Sequence, residues 1–161
     1  MIEEPKLQLS DALRRMDLTL PDVPLPDANY LPWKRSGNLV FLAGQTCEWN
    51  GDVLYQGKIG EAYTLEQGQQ AARLCLLNLL AALNQVIHDD LGLIAQCIQL
   101  RGFVNADPQF DRVPSVIDGA SDCLINLLGE RGQHVRTAVG VATLPSRAAV
   151  EVDAVFELTT L

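Results

Sequence analysis

Residues 135–158, VRTAVGVATLPSRAAVEVDAVFEL, decide the fold because they contain two strand-like runs joined by a short turn around Pro145. In the first run, side chains alternate with the two-residue period of a strand. Arg136 is the one long charged side chain on a face otherwise made of small residues. In the second run, one face is apolar and the other carries carboxylates, among them Glu151. The pattern predicts two strands that run in opposite directions and lie side by side.

Arg136 has two interpretations. A lone guanidinium with open space around it suits a planar anion such as a carboxylate, held by two parallel hydrogen bonds. The alternative is an arginine that is solvated or paired with a carboxylate of its own chain, which has 20 acidic residues. The residues alone leave both interpretations open.

The composition is typical of one globular domain of 161 residues, with 48% hydrophobic and 20% charged residues. A formal net charge of −8 argues against a nucleic-acid partner, because phosphates are held mainly by Lys and Arg. No apolar stretch has the length of a membrane helix, and the start MIEEPKLQLS does not resemble a signal peptide. We therefore expect a cytoplasmic protein with no membrane partner.

The four cysteines are widely spaced and form no CxxC pair, and the two histidines are far apart in sequence. Zinc sites usually need such pairs at short spacing. The sequence therefore predicts buried free thiols and no metal site.

Hydrophobic periodicity and turn signals predict the remaining elements. They are a short helix over residues 10–20 with a cap at Ser10 or Asp11, a proline-rich linker over 21–29, a buried strand over 38–45, an Asn-Gly hairpin at 50–51 with a returning strand over 53–56, a long helix over 64–88, a strand over 94–105 and a helix over 114–128. Two long helices are too few to cover both sheet faces, so the expected class is α+β with helices on one face. The other face also carries apolar residues, which indicates an oligomer.

Three segments carry a resemblance to a known family. GNLVFLAGQ at residues 37–45 is similar to a GNLVFxSGQ strand, and the helix EQGQQAARLCLLNLLAAL at 66–83 is similar to a QA…LxNL helix. The third segment, from RTAV at 136–139 through LP to VEVDA at 150–154, is similar to RSxVxVxxLPxxxxVEIEA. In this order and spacing, the chain resembles the Rid (YjgF-like) family of small trimeric imine deaminases. The resemblance covers about residues 28–158, so we expect an N-terminal extension over 1–27 and a YjgF-like domain over 28–161.

The resemblance implies a chorismate-mutase-like α+β fold, a mixed sheet with two helices packed on one face. It implies that Arg136 grips the carboxylate of a 2-imino acid and that Glu151 positions the water that attacks the imine carbon. Main-chain groups at Gly44 and Ala138 would hold substrate and water, and Tyr30 would complete the site. The products would be a 2-keto acid and ammonia, and no metal or organic cofactor would be required.

The chain also departs from the family pattern. The serine before Gly-Gln is Ala43 here, so a hydroxyl near the substrate is missing. A cysteine common two residues after the arginine is Ala138, and an asparagine of the second helix falls near Asp118 or Gly119. These differences put turnover and substrate range in question more than the fold.

The two charged residues should not meet within one chain. If the last two strands pair around residue 146, the residue opposite Glu151 lies near 141, and Arg136 is a further five residues away, roughly 17 Å. A site that uses both residues would therefore lie between subunits.

Three functions follow as hypotheses. The first is hydrolysis of 2-imino acids by an inter-subunit site in a homotrimer. The second is a non-catalytic trimer that binds small carboxylic acids or a protein partner through the same cleft. Ribonuclease activity is a third, which the acidic balance and the lack of paired histidines disfavour.

Overall fold

The computed structural model of the chain describes residues 5–160. Residues 1–4, the start of the predicted extension, and Leu161 lie outside the described residues. The helices are α1 (Leu9–Arg14), α2 (Leu65–Ile87) and α3 (Val113–Leu128). The strands are β1 (Trp33–Ser36), β2 (Leu39–Thr46), β3 (Glu48–Trp49), β4 (Asp52–Val53), β5 (Ile94–Asn105), β6 (Val135–Val141) and β7 (Val150–Leu158).

Five strands form one mixed sheet in the order β1-β2-β7-β5-β6, and β3 and β4 form a separate hairpin across Asn50 and Gly51. The returning strand of that hairpin is β4, which ends at Val53, so it begins earlier and is shorter than the strand predicted over 53–56. β5 runs parallel to β6, while the other neighbouring pairs are antiparallel.

The predicted pairing of the last two strands is also wrong, because β5 lies between β6 and β7. The connection over residues 142–149 is longer than a tight hairpin loop. This connection is long enough to cross the end of β5. β5 therefore forms backbone hydrogen bonds with β6 on one side and β7 on the other.

Helices α2 and α3 cover one face of the sheet, which confirms the predicted α+β architecture. Along β7 the residues alternate between buried and half-buried, from Val150 at its start to Leu158 at its end. The buried set faces the helices. The opposite face is open and carries apolar side chains, with Phe41 48% and Val139 41% exposed.

Helix α2 is the centre of the core. It begins with a capping box, in which the Thr64 hydroxyl accepts from the Gln67 amide and the Gln67 side chain accepts from the Thr64 amide. Its length and composition would allow a membrane span, but 72% of its most apolar window is buried inside the protein. Its apolar character therefore belongs to a core helix.

The first helix begins one residue before the predicted cap. Ser10 lies within α1, and its amide and hydroxyl both donate to the carboxylate of Asp89, at 2.7 and 2.6 Å. Leu9 and Leu13 are fully buried. A contact distant in sequence therefore takes the place of the local cap, and α1 packs on the end of α2.

The cysteine prediction is confirmed, because Cys47, Cys75, Cys97 and Cys123 are all buried and free. Burial raises the pKa of the Cys97 thiol to about 12 and that of Cys123 to about 11. The thiols of Cys97 and Cys123 are therefore protonated at neutral pH.

Candidate functional site

A cavity of about 450 Å³, here called the Glu151 pocket, brings together three of the residues predicted for the site. Tyr30, Gly44 and Glu151 all line it. Tyr30 is 53% exposed at the rim, and Glu151 is half-buried on the open face of the sheet. The cavity lies where β2 and β7 meet the turn before β7.

A bulge in β2 makes the room for the Glu151 carboxylate. Leu42 is paired with Ala154 and Gln45 with Val152, so Ala43 and Gly44 together oppose one residue of β7. A Cβ at Gly44 would clash with Oε1 of Glu151. Glycine at this position therefore lets the carboxylate come close to the backbone, and a larger residue would displace the carboxylate from its observed place.

The Glu151 side chain has an electrostatic environment suited to proton transfer. Burial, and to a lesser degree the nearby charge of Asp153, raise the pKa of the Glu151 carboxyl. No hydrogen bond or ion pair with the rest of residues 5–160 engages its oxygens. A carboxylate with a raised pKa and free oxygens can accept a proton from a water molecule.

The proline-rich segment forms one wall of the pocket, a role that the sequence analysis missed. Asp22, Pro24, Pro26 and Asp27 contribute to the lining. The Asp22 amide donates to Oδ1 of Asn50 at 2.8 Å, which ties the segment to the β3–β4 hairpin. The prolines were a usable signal, because they give a chain segment a fixed extended course.

The pocket is acidic. Asp22, Asp27, Glu48 and Glu151 line it, and no lysine or arginine does so within the described residues. It therefore attracts cations and repels the carboxylate of a substrate unless a cation is supplied by another chain.

Arg136 lies elsewhere and does not have the open surroundings expected from the sequence. Its Nη1 donates to Oδ1 of Asp118 at 2.8 Å and to the Ser121 hydroxyl at 3.2 Å, and its Nη2 donates to the Pro114 carbonyl at 3.3 Å. The interpretation of a free guanidinium is wrong for the single chain. The alternative is observed, since α3 packs beside the start of β6 and places an acid there.

Ser121 and His134 extend this cluster. The His134 ring contacts the Gly132 carbonyl through Nδ1 at 2.6 Å and the Ser121 hydroxyl through Nε2 at 2.9 Å. A carbonyl accepts only, so Nδ1 carries the proton and the Ser121 hydroxyl donates to Nε2. Ser121 is only 7% exposed, so the pair has a structural role in holding α3 against β6.

Arg136 and Glu151 of one chain lie on opposite faces of the sheet. Arg136 of β6 is in register with Leu100 of β5, which is in register with Ala154 of β7. Leu100 and Ala154 are buried beneath the helices. Glu151 is in register with Phe103 on the open face. The two positions are three residues and two strands apart, roughly 14 Å at ordinary strand spacings. The separation expected from the sequence is observed, although the strand pairing used to derive it was wrong.

Ala138, the remaining predicted residue, is on the Arg136 face of β6, opposite Gly102 of β5. It does not line the Glu151 pocket. The predicted residues therefore divide into two groups, one at the β2–β7 pocket and one along the edge strand β6. Among residues 5–160 no group of three His, Cys, Asp or Glu side chains is arranged to hold a metal ion.

Comparison with known proteins identifies the fold family. The family model described as "YjgF/chorismate_mutase-like, putative endoribonuclease" matches residues 11–158 and so begins within the predicted extension. Protein TCP17 of Trypanosoma cruzi is 37% identical over 147 residues, which are 91% of each chain.

Two solved structures are similar over nearly the whole chain. The protein Atu1372 from Agrobacterium tumefaciens, of unknown function, is 38% identical with a TM-score of 0.87, covering 94% of this chain and 92% of its own. A putative endoribonuclease from Shewanella oneidensis is 32% identical with a TM-score of 0.89, covering 94% and 99%. The chain therefore belongs to the YjgF/chorismate-mutase-like family, also called Rid, and is a divergent member of it.

Proposed function

We propose that the protein hydrolyses small reactive imines, including 2-imino acids, to carbonyl compounds and ammonia at a cleft between subunits. One chain contributes Tyr30, Gly44 and Glu151. Arg136 of the partner subunit, with the backbone at Ala138 of the partner subunit, completes the cleft. The observation that carries the proposal is the half-buried Glu151 carboxylate, with unengaged oxygens, in the same pocket as Tyr30 and Gly44.

The chemistry follows from the charge of the pocket. A protonated imine is a cation and a good electrophile, and an acidic pocket favours its binding. Glu151 takes a proton from water as the water oxygen attacks the imine carbon, which gives a carbinolamine. That proton then passes to the amino group. The carbon–nitrogen bond breaks, ammonia leaves with the bonding electrons, and Glu151 takes up the hydroxyl proton as the carbonyl forms. Positioning of one water against a bound electrophile supplies much of the acceleration.

The proposal needs an assembly, and the open sheet face supports one. Phe41 and Val155 are neighbours in one register row across that face, and Val135 lies at the far end of the same row beyond Gln99. Val135 is 63% exposed. Exposed apolar side chains grouped in this way mark an interaction surface. A cyclic homotrimer that buries this surface would bring a pocket of one subunit near the edge strand of the next.

The absence of a hydroxyl at Ala43 favours a second candidate, a trimer that binds small carboxylic acids or a protein partner without turnover. In the single chain the guanidinium already has an anionic partner, and Ala43 offers no hydroxyl to a substrate. A carboxylate must displace or share Asp118 in order to bind. This arrangement weakens the carboxylate grip more than it weakens imine hydrolysis at Glu151.

The endoribonuclease description of the family is the weakest match to this chain. RNA binding relies on basic patches, whereas this chain has a net charge of −8 and an acidic pocket. His134 is engaged with Ser121 and Gly132, at a distance in the fold from the pocket lining.

Ammonia release from iminopropanoate, generated in situ by an amino-acid dehydratase, tests the proposal. The wild-type protein is expected to accelerate release, and Glu151→Gln is expected to abolish the acceleration. Arg136→Ala is likewise expected to abolish activity on this carboxylate-bearing imine, because the substrate carboxylate loses its cationic partner. Binding of pyruvate without any acceleration by the wild type would support the non-catalytic binder and reject the enzyme.

A further inference from the structure

A second cavity, here called the Lys58 pocket, lies where β5 and β6 end. Its volume is about 230 Å³, and it shares no lining residue with the Glu151 pocket. Lys58, Asn105 and Arg147 line it, together with the single carboxylate of Glu61. Two cations against one anion make it locally basic in a chain whose net charge is −8.

Lys58 is held in the pocket by two neutral acceptors. Its Nζ donates to Oδ1 of Asn105 at 2.7 Å and to the Ala142 carbonyl at 2.8 Å. An ammonium group has three donors, so one remains for a ligand. None of the ion pairs within the described part of the chain includes Lys58. Its charge is therefore fixed in position and has no anionic partner there.

Asn105 provides the independent indication of a ligand. Its side chain is only 4% exposed, and the contact with the ammonium of Lys58 identifies Oδ1 as the acceptor. Nδ2 therefore carries the two donors, and it has no hydrogen-bond partner within residues 5–160. Nδ2 is not one of the unpartnered side-chain atoms that are completely shielded from solvent. It is therefore accessible from the cavity that Asn105 lines. A buried amide donor of this kind calls for an acceptor.

Arg147 is oriented by a fixed turn. The backbone at Ser146 and Arg147 has φ values of 54° and 56°, in the left-handed region. The Gly57 amide donates to the Arg147 carbonyl at 2.9 Å, and Nε2 of Gln56 donates to the Ser146 carbonyl at 3.1 Å. These bonds tie the turn to the loop that carries Lys58. No hydrogen bond engages the Arg147 guanidinium within the same described residues.

We infer that the Lys58 pocket binds a small oxyanion, a carboxylate or phosphate group, separately from the Glu151 pocket. The third donor of Lys58 and Nδ2 of Asn105 hold the oxygens of the anion, and the Arg147 guanidinium closes over it. Charge-assisted hydrogen bonds from donors whose positions are already fixed favour such an anion over a neutral ligand.

Two-dimensional NMR titration of the full-length protein tests this inference, with inorganic phosphate and pyruvate as separate probes. Saturable shifts are expected at the Gly57, Lys58 and Arg147 amides and at the Asn105 side-chain amide. A response to phosphate alone, to pyruvate alone or to both identifies which oxyanion the pocket accepts. No saturable shift with either probe, or shifts centred on β6 near Arg136, would overturn the inference.

Variants provide the matched comparison. Lys58→Met should weaken the bound probe about 10- to 100-fold, the loss of one charge-assisted hydrogen bond. Lys34→Met removes an exposed lysine of β1 and should leave affinity unchanged. Arg147→Gln should also weaken binding, and it removes an exposed side chain whose loss leaves the core intact. Equal affinity of the Lys58 and Lys34 variants for the probe would contradict the assignment.

Discussion

The proposed role of Glu151 comes with a cost in stability. Its carboxyl has a pKa raised by burial and by Asp153. The folded protein therefore binds this proton more tightly than the unfolded chain does. As pH rises from the ordinary carboxyl pKa to the raised one, ionisation of Glu151 lowers the stability of the fold. Residues selected for chemistry often carry such a cost.

Glu151→Gln is expected to raise Tm at about pH 7. Below about pH 4 it should leave Tm unchanged, because the wild-type Glu151 side chain is then protonated and as uncharged as glutamine. In the same variant, kcat for imine hydrolysis should fall about 10²- to 10⁴-fold, the usual contribution of a general base. Thermal unfolding at the two pH values and the ammonia assay measure these effects. A lower Tm at neutral pH would show that the ionised carboxylate stabilises the fold.

Asp118 sets the availability of Arg136. Asp118→Asn removes the competing charge and should lower KM for a carboxylate-bearing imine about fivefold, equivalent to about 1 kcal/mol for a half-exposed ion pair. Asp122→Asn, an exposed change on the same helix, is the control and should have no effect. A rise in KM in the Asp118 variant would instead mean that Asp118 orients Arg136 for the substrate.

At the scale of elements, the close approach of α2 and α3 depends on Gly119. A Cβ there would clash with the backbone carbonyl of Gln69 in α2. Alanine is otherwise the better helix former by about 1 kcal/mol, so the two effects oppose each other. The clash should dominate because the obstacle is backbone, which cannot move aside.

Gly119→Ala is therefore expected to destabilise the protein by about 1–3 kcal/mol and to lower Tm by several degrees. Gly140→Ala is the control, since its added Cβ would meet neighbours only at 3.6 Å or beyond. Chemical denaturation of both variants measures the difference. Equal stability of the two would mean that α2 and α3 separate at little cost.

The sequence predicted those elements whose periodicity is strong and whose boundaries are local. The bounds of β5 and the capping box of α2 agree with the structure because apolar spacing and the Thr64–Gln67 pair act within one segment. β1 was missed because Trp33–Ser36 exposes three of its four residues and has no apolar alternation. The start of α1 was misplaced because Asp89 engages Ser10 from far along the chain.

The sequence also predicted only part of the site. Tyr30, Gly44 and Glu151 come together as the family resemblance implied. The position of β5 between β6 and β7 could not be predicted from the order of the strands in the sequence. It depends on whether the connection over residues 142–149 crosses another strand. The partner of Arg136 was equally inaccessible, because Asp118 reaches it only through the packing of α3 against β6.

For the whole molecule, one chain does not bring the two groups of predicted site residues together. The Glu151 pocket has no lysine or arginine in its described lining, and Arg136 lies on the other face of the sheet.

Light scattering should give the mass of a trimer. Replacement of the exposed Phe41 by Glu should lower that mass and abolish imine hydrolysis together, because both depend on the open face. Retention of full activity in a monomeric Phe41 variant would place the whole site within one chain.

The most direct test is complementation between two inactive variants. Arg136→Ala and Glu151→Gln chains are unfolded together, mixed in equal amounts, refolded and assayed for ammonia release from iminopropanoate. In a randomly mixed cyclic trimer, about a quarter of the clefts receive an intact residue from each side, so about a quarter of wild-type activity should return. If the mixed trimers form but remain as inactive as the separate variants, the inter-subunit site is contradicted.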